Sequence, residues 1–250
     1  MKRIVSWFLL LIVAVMLIST GCVKKEKPIL RVGTNPEYPP FSYKIGNQLA
    51  GVDIDIAKRI GEKMKMEVQI QEFPFDGLFT SLALDKIDMA ISSITITKER
   101  QNRFDFTIPY SVTDQVLISK FDSKLELTSL EDIGKYRVGS LRGTTGHQYI
   151  DEQLIEKDLM PKEKMKLFST NLEAIGELLN GKLDFVIIDE GAGHAYAKQE
   201  PVKIAFVIPT REEYGIAMQK GKALNDKINK AMNELIANGE VATIIQNHSR

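Results

Sequence analysis

Residues 89–100 read MAISSITITKER, a short apolar strand that runs through a hydroxyl-rich turn into the start of a helix. Helix N-termini present unpaired N–H donors and a partial positive charge. The guanidinium of Arg100 adds a planar group that can bind a carboxylate with two parallel hydrogen bonds. Hydroxyls, amide donors and one cation in so short a stretch therefore suit the binding of a small carboxylate.

The same residues also fit a simpler interpretation that needs no ligand. Thr97 is a suitable N-cap, since its hydroxyl can accept a hydrogen bond from a free backbone N–H of the helix. Lys98, Glu99 and Arg100 would then form a solvated polar face. The stretch by itself does not decide between a capped helix and a binding site.

The first 21 residues have the pattern of a signal peptide. Lys2 and Arg3 form a basic start, residues 4–18 are apolar apart from Ser6, and small residues follow. The apolar run is shorter than the roughly 20 residues that a transmembrane helix needs. We therefore expect residues 1–21 to be removed during export.

Cys22 follows this leader directly and is the only cysteine of the chain. The position resembles the lipobox of bacterial lipoproteins, whose cysteine becomes a lipidated N-terminus that carries palmitate or a similar acyl chain. Ser19 departs from the pattern, because leucine is usual there. Residues 22–29 would be a lipidated, polar tether to the folded part. A plain secretory signal with an incidental Cys22 is the alternative, and both predict an exported chain without disulfides.

Composition excludes several classes of function. The 33 basic and 33 acidic residues balance and no basic block occurs, so nucleic acid is not an expected partner. His147, His194 and His248 are scattered without the spacing of metal ligands. Residues 139–146 lack the Gly-Lys-Ser/Thr of a phosphate-binding loop. We therefore expect neither a metal nor another cofactor.

Hydrophobic periodicity indicates two series of alternating strands and helices, the second of which begins after Pro109 and Tyr110. This order predicts mainly parallel sheets with helices on both faces. Ligands of open α/β sheets bind beyond the carboxyl ends of the strands, so two facing lobes predict a site in the cleft between them. The predicted strands are 29–34, 41–44, 48–50, 67–71, 89–91, 115–119, 136–140, 166–170, 183–188, 204–209 and 214–218.

Polar residues mark the predicted helix starts. Asp76, Ser129 and Asn171 are expected to cap the helices that follow them. Asp189, at the end of a buried strand, also has the character of a helix cap. The apolar spacing at 224–235 predicts a long amphipathic helix near the end of the chain.

Five separated stretches resemble the polar amino-acid-binding proteins of ABC importers, the extracellular solute-binding protein family 3. They are LRVGTN (30–35), YPPF (38–41), GVDIDI (51–56), FDGL (75–78) and ITITKER (94–100). The resemblance extends from about Leu30 to the C-terminus, and the ordered combination is more specific than any one stretch. It implies an α/β, two-lobed periplasmic-binding-protein fold of type II, in which two crossover strands join the lobes.

The resemblance also implies domain boundaries and partners. Crossovers near Val112-Thr113 and Tyr214-Gly215 would assign residues 30–113 and 215–250 to lobe 1 and residues 114–214 to lobe 2. The lobes would close on a free amino acid and deliver it to the permease subunits of an ABC importer. We expect a monomer that a lipid anchor holds at the membrane, facing the periplasm or the cell exterior.

Site residues are implied one by one. Arg100 would bind the ligand α-carboxylate, helped by the Thr95 N–H and by Thr145 of the other lobe. Asp189 would take the α-ammonium, together with the Ser93 carbonyl and the Thr95 hydroxyl. Aromatic rings would sandwich the ligand side chain, and smaller residues would line its pocket. The expected ligand-binding set is Asn35, Tyr38, Phe75, Ser92, Ser93, Thr95, Arg100, Leu141, Thr144, Thr145 and Asp189.

Two departures from the family leave the ligand open. Many relatives that bind cationic or amide side chains have aspartate where this chain has Asn35, and several have an uncharged residue in place of Arg142. These changes argue against a lysine-like ligand, whereas an aromatic sandwich of Tyr38 and Phe75 favours a flat guanidinium or amide. A polar amino acid is expected, with glutamine and arginine both open.

Two other classes of function use the same fold. A periplasmic dehydratase of the cyclohexadienyl or arogenate type would need an acid or base over the substrate ring, and Glu37 is the only candidate residue. The sensor domain of a receptor would need a transmembrane helix and a signalling module, neither of which the sequence contains. A stand-alone binding protein without catalytic activity is the expected function.

Overall fold

A computed structural model describes residues 27–248. The predicted signal peptide, the lipidation of Cys22 and most of the tether lie outside these residues. Within residues 27–248, no helix is both long and apolar enough to cross a membrane.

Twelve strands make up the sheets of the described part of the chain. Their bounds agree with most of the strands predicted from periodicity. The strands are β1 Ile29–Thr34, β2 Tyr43–Ile45, β3 Gln48–Ala50, β4 Glu67–Glu72, β5 Met89–Ala90, β6 Phe104–Phe106, β7 Ser111–Lys120, β8 Val138–Leu141, β9 Met165–Phe168, β10 Phe185–Asp189, β11 Val202–Tyr214 and β12 Ala217–Gln219.

Eight α-helices accompany the strands in residues 27–248. They are α1 Val52–Met64, α2 Phe75–Ala83, α3 Lys98–Arg103, α4 Thr145–Ile150, α5 Asn171–Leu179, α6 Glu190–Gln199, α7 Ala223–Ala237 and α8 Glu240–His248. Short 3₁₀ turns occur at Glu131–Lys135 and Lys162–Lys164, and a π turn at Asp151–Ile155 extends α4.

Two five-stranded sheets define two lobes. The first sheet has the order β4-β1-β5-β12-β6 and the second has the order β11-β7-β10-β8-β9. In each sheet two neighbouring pairs are parallel and two are antiparallel. The prediction of mainly parallel sheets was therefore wrong. The chain enters the second sheet through β7 and leaves it through β11, which pairs antiparallel with β7. It returns to the first sheet through β12, which pairs antiparallel with β5.

The strands β7 and β11 carry the chain between the two sheets. They pair from Ser111 with Tyr214 at one end to Lys120 with Val202 at the other. The predicted strand 214–218 was wrong, because Tyr214 is the last residue of the long β11 and β12 starts only at Ala217. A register shift between Ile208 and Glu212 interrupts the pairing next to the first lobe.

Each lobe has its own apolar core between its sheet and its helices. In the first lobe, α1, α7 and α8 cover one face with residues such as Ile56, Ile60 and Met232, all fully buried. In the second lobe, α5 and α6 pack on the sheet through residues such as Ile175 and Ala192. The apolar periodicity read from the sequence thus marks the buried faces of these helices.

Helix caps were predicted less well than helix faces. The N-cap of α2 is Pro74, and that of the turn at Glu131–Lys135 is Leu130; neither makes a capping hydrogen bond through its side chain. The predictions that Asp76 and Ser129 cap these elements were therefore wrong. Thr170, and not Asn171, caps α5 by accepting the N–H of Glu173 at 3.1 Å. At α5 two neighbouring polar residues, Thr170 and Asn171, compete for the cap position. The direction of the incoming chain decides where each helix begins.

Candidate functional site: a closed cleft between the lobes

The eleven residues expected to bind a ligand line one cavity between the lobes. Seven come from the first lobe, on the loop after β1, the start of α2, the turn after β5 and α3. Four come from the second lobe, at the ends of β8 and β10 and the start of α4. The ends of parallel strands face each other here, as the sheet topology predicts. These residues are Asn35, Tyr38, Phe75, Ser92, Ser93, Thr95, Arg100, Leu141, Thr144, Thr145 and Asp189.

Arg100 reaches the cavity from the first turn of α3. The Thr97 hydroxyl accepts the Arg100 N–H at 3.1 Å, so the simpler interpretation of Thr97 as a helix cap is confirmed. The Arg100 side chain is only 8 % exposed and does not form a solvated face. The cap and the cavity therefore coexist, because the cap uses the backbone of Arg100 and leaves its guanidinium free to turn inward.

The guanidinium of Arg100 is held by both lobes. It donates to the Thr95 carbonyl at 2.8 Å and to the Gly143 carbonyl of the second lobe at 3.0 Å. Its central carbon lies 5.0 Å from the centre of the Phe79 ring and 5.6 Å from that of Phe75. Burial lowers the pKa of Arg100 to about 10, so the group remains a cation at neutral pH.

The turn after β5 is fixed from behind by Asp53, a buried residue of α1. Ser93 has a φ of 49°, a conformation that non-glycine residues rarely adopt. Its N–H donates to the Asp53 carboxylate at 2.9 Å, and the Tyr110 hydroxyl donates to the same carboxylate at 2.7 Å. Burial raises the pKa of Asp53 to about 7. The buried Ser93 hydroxyl lines the cavity and has no hydrogen-bond partner among the described residues.

Asp189 is the buried carboxylate of the second lobe. It accepts hydrogen bonds from the Gln115 amide and the Tyr214 hydroxyl, and its own N–H donates to the Tyr38 hydroxyl at 2.9 Å. Although Asp189 occupies the N-cap position of α6, its side chain makes no capping bond, so the alternative role as a cap was wrong. Burial, with the charge of Glu212 as the next cause, raises the pKa of Asp189 to about 7.

The lobes are closed over the cavity in this structure. Leu141 of the second lobe packs in the apolar cluster of Phe75 and its neighbours in the first lobe. Conversely, Tyr38 of the first lobe packs on the core of the second. The Tyr196 hydroxyl of α6 donates to the Glu37 carbonyl at 2.9 Å. Apolar and polar contacts thus join the lobes on both sides of the site.

The end of the cavity is lined by Asn35 and Ser92. The Asn35 amide group donates to the Phe73 carbonyl at 3.0 Å, which leaves its side-chain oxygen as an acceptor. The Asn35 N–H donates to the Ser92 hydroxyl at 3.0 Å. Arg142 is exposed and does not line the cavity. The positive charge of Arg142 therefore lies outside the pocket.

Glu212 and Gln115 are parts of the site that sequence reasoning missed. The Glu212 carboxylate accepts from the Thr95 hydroxyl at 2.7 Å and from the Thr145 hydroxyl at 2.6 Å. The Gln115 amide donates to Glu212 at 3.1 Å and to Asp189, and so lies between two carboxylates. The register shift before Glu212, with Arg211 at a φ of 50°, sets which glutamate faces inward. The sequence offers no sign of that choice.

Glu37, the residue on which the dehydratase alternative depends, does not line the closed cavity. It faces a wide groove outside, beside the start of α5. Burial raises the pKa of its carboxyl group, while the Asn171 N–H lowers it. In residues 27–248 no cluster of three or more His, Cys, Asp or Glu side chains is arranged to hold a metal ion.

Comparison with known proteins identifies the family. The model of the bacterial extracellular solute-binding proteins, family 3, matches residues 30–249. The arginine-binding extracellular protein ArtP of Bacillus subtilis is 32% identical over 249 residues, which cover 94% of each chain.

Two solved structures are similar over nearly the whole described part. An ancestral arginine-binding protein bound to arginine superposes with a TM-score of 0.82 at 37% identity, covering 89% of this chain and 98% of that one. An ancestral arginine-binding protein bound to glutamine superposes with a TM-score of 0.81 at 36% identity and the same coverage. Both share the two-lobed architecture described above, and the chain belongs to the bacterial extracellular solute-binding proteins, family 3.

Proposed function

We propose that the protein captures a free polar L-amino acid outside the cytoplasm and delivers it to the permease of an ABC importer. The observation that carries this proposal is the position of Arg100 and Asp189. They lie in opposite lobes and line one closed cavity. An amino-acid zwitterion needs one fixed cation and one fixed anion, and only closure of the lobes brings both to it.

The mechanism follows from the hydration of these two groups. In an open cleft, water solvates Arg100 and Asp189, and neither needs a partner. Closure removes that water, and a buried charge without a counter-charge is costly. The carboxylate and ammonium of the ligand supply both counter-charges, so the ligand shifts the population toward the closed form. The crossovers near Val112-Thr113 and Tyr214-Gly215, with the lobes divided as predicted, would be the hinge.

The charges of the cleft favour arginine over glutamine as the ligand. Arg100 is the only cation among the described residues that line the cavity. It balances Asp189, and the Glu212 carboxylate behind the two threonines is left without a counter-charge. A cationic side chain of the ligand would balance the charge of Glu212. The side-chain oxygen of Asn35 offers an acceptor that fits a guanidinium, and the rings of Tyr38 and Phe75 fit its flat faces.

Isothermal titration with L-arginine, L-citrulline and L-glutamine tests this proposal. Citrulline has the shape of arginine but a neutral urea group in place of the guanidinium, so it isolates the charge. We expect one-to-one binding without product formation, with L-arginine the tightest at micromolar affinity or better, which is about −8 kcal/mol. Equal affinity for arginine and citrulline would refute the charge argument. No binding of any amino acid would refute the function.

The absence of catalysis is part of the same proposal. Glu37, the residue on which a dehydratase would depend, faces the outer groove. Turnover of prephenate or arogenate that is lost in Glu37→Gln would contradict a pure binding role.

We also propose that the chain is an exported, monomeric lipoprotein. Residues 1–21 would be removed as a signal peptide, and Cys22 would carry the lipid. Residues 22–29 would then join the membrane to β1. Lipid chains contribute ~0.8 kcal/mol per buried CH₂, so several chains hold a protein firmly at a membrane. Anchoring of this kind would keep the binding protein close to its permease.

A further inference from the structure

We propose that Glu212 is a positioning residue that fixes the protons of the Thr95 and Thr145 hydroxyls and so makes the ammonium side of the site accept hydrogen bonds only. This inference rests on the proposed amino-acid binding and deepens it. It concerns a residue that does not itself line the cavity, and it explains how two neutral hydroxyls contribute to the recognition of a cation.

The geometry of the two hydroxyls is the first step. Both oxygens lie within hydrogen-bond distance of the same Glu212 oxygen, at 2.7 Å from Thr95 and 2.6 Å from Thr145. They lie 3.4 Å from each other. An ionised carboxylate can only accept hydrogen bonds, so each threonine must donate its single proton to Glu212. What remains of each hydroxyl is its lone pairs.

The direction of these lone pairs is the second step. Thr95 and Thr145 line the cavity, whereas Glu212 lies on the hinge side of them. The protons therefore point away from the cavity, and the acceptor side faces it. An α-ammonium group has three donors and no acceptor, so it matches Asp189 together with such hydroxyls. Thr145 would then meet the α-carboxylate through its backbone N–H at the start of α4. A hydroxyl free to rotate would offer a donor just as easily and would discriminate less.

Gln115 lies between the two carboxylates of the site, Asp189 and Glu212, and helps to hold both in place. Its amide nitrogen donates to Asp189 and, at 3.1 Å, to Glu212. Its side-chain oxygen is buried without a partner, so the amide is held in this orientation through its nitrogen, by the two carboxylates and by the Thr145 hydroxyl at 3.4 Å. Glu212 is thus fixed by Gln115 and both threonines, and it reaches Thr95 in one lobe and Thr145 in the other.

A double-mutant cycle on L-arginine binding tests whether Glu212 acts through Thr95. Glu212→Ala should weaken binding about tenfold, the loss expected when one charge-assisted hydrogen bond no longer orients an acceptor. In a Thr95→Val background the same change should cost clearly less than tenfold, because one of the two hydroxyls that Glu212 orients is gone. Fully additive losses would overturn the proposal and leave Glu212 with a merely structural role.

Ligand analogues give a second readout that a structural role would not change. Compared with L-arginine, 5-guanidinopentanoate lacks only the α-amino group. Glu212→Ala removes the same charge for both ligands, so it should weaken the binding of 5-guanidinopentanoate, measured by competition with L-arginine, at least threefold less than it weakens the binding of L-arginine itself. An equal loss for both ligands would overturn the proposal. Binding of no amino acid to the wild-type protein would instead refute the proposed function, and this inference with it.

Two further variants control for charge and folding. Glu213→Gln removes one negative charge at the next position of β11, where the side chain is exposed. The backbone carbonyl of Glu213, which accepts the Ile96 N–H, is unchanged by this substitution. It should leave affinity within twofold of wild type, and a tenfold loss would contradict a local role for Glu212. Glu212→Gln keeps an acceptor oxygen and should recover part of the affinity. It also serves as the test if the alanine variant does not fold.

Discussion

Replacing Asp189 by asparagine should make the ligand-free protein more stable and its ligand binding weaker. Burial raises the pKa of Asp189 from 3.8 to about 7, so the folded state holds an ionised carboxylate at a cost above that pH. Each pKa unit corresponds to about 1.36 kcal/mol, which makes the cost on the order of 4 kcal/mol. Opening of the cleft hydrates the group, so this value is an upper limit for the gain in the free energy of unfolding.

The pH dependence of this gain has a definite sign. A carboxyl group whose folded pKa exceeds its unfolded value imposes no cost below the unfolded value, here 3.8. The cost grows as the pH rises from there and is complete above about 7. The asparagine variant should therefore match wild type in unfolding temperature near pH 4 and exceed it most at pH 8. For a chain of this size, 1 kcal/mol shifts the unfolding temperature by about 2–4 °C.

Binding should change in the opposite direction. Removal of one member of a buried charge pair typically costs ~2–5 kcal/mol, so L-arginine should bind Asp189→Asn roughly 30-fold more weakly or worse. Calorimetric unfolding without ligand and titration with L-arginine at pH 8 measure the two effects. Asp184→Asn, which alters a surface ion pair with Arg137 in the same lobe, is the matched control and should leave affinity unchanged.

The outcomes that would refute this reasoning are specific. A loss of ligand-free stability at pH 8, or an equal gain at pH 4 and pH 8, would show that burial of the charge is not the cause. Full affinity in Asp189→Asn would show that the carboxylate does not meet the ligand ammonium. The opposed effects on stability and binding are what a site built around a buried carboxylate predicts.

Three further predictions concern the opposite charge, a neutral hydroxyl and the anchor. Arg100→Ala should weaken L-arginine binding roughly 30-fold or more by calorimetric titration, whereas Arg103→Ala on the same helix should not. Thr145→Val should cost less, about 1 kcal/mol in the same assay, because it removes one neutral hydroxyl. Cys22→Ser should appear in the soluble fraction and fail to incorporate labelled lipid, and a wholly soluble, unlabelled wild-type protein would contradict the anchor.

Local patterns were enough to predict most elements and the buried faces of the helices. The strand at 29–34 and the long helix over 224–235 follow from alternation and helical spacing, which depend only on neighbours along the chain. Thr97 was recognised as a cap for the same reason. Exact ends were harder to predict. At Asn171 the neighbouring Thr170 takes the cap, and before Asp76 the helix begins after Pro74, which has no capping side chain.

Sheet direction could not be predicted in this way. The order of strands and helices suggested mainly parallel pairing, but β12 and the pair β7 and β11 run antiparallel to their neighbours. These pairings depend on how the chain crosses between lobes, and no local pattern records that crossing. The single long β11, ending at Tyr214, was missed for the same reason.

The sequence by itself determined which side chains the site contains, through the residues after β5 and the resemblance of the chain to one family. The tertiary structure decided how these residues are used. It turned Arg100 inward while Thr97 capped its helix, and it placed Asp189 on the wall of the cavity instead of using it as a cap. Glu212 meets Thr95 and Thr145 across 117 and 67 residues of sequence. Which of two adjacent glutamates faces inward depends on a register shift in β11, and only the folded pairing of the strands sets that.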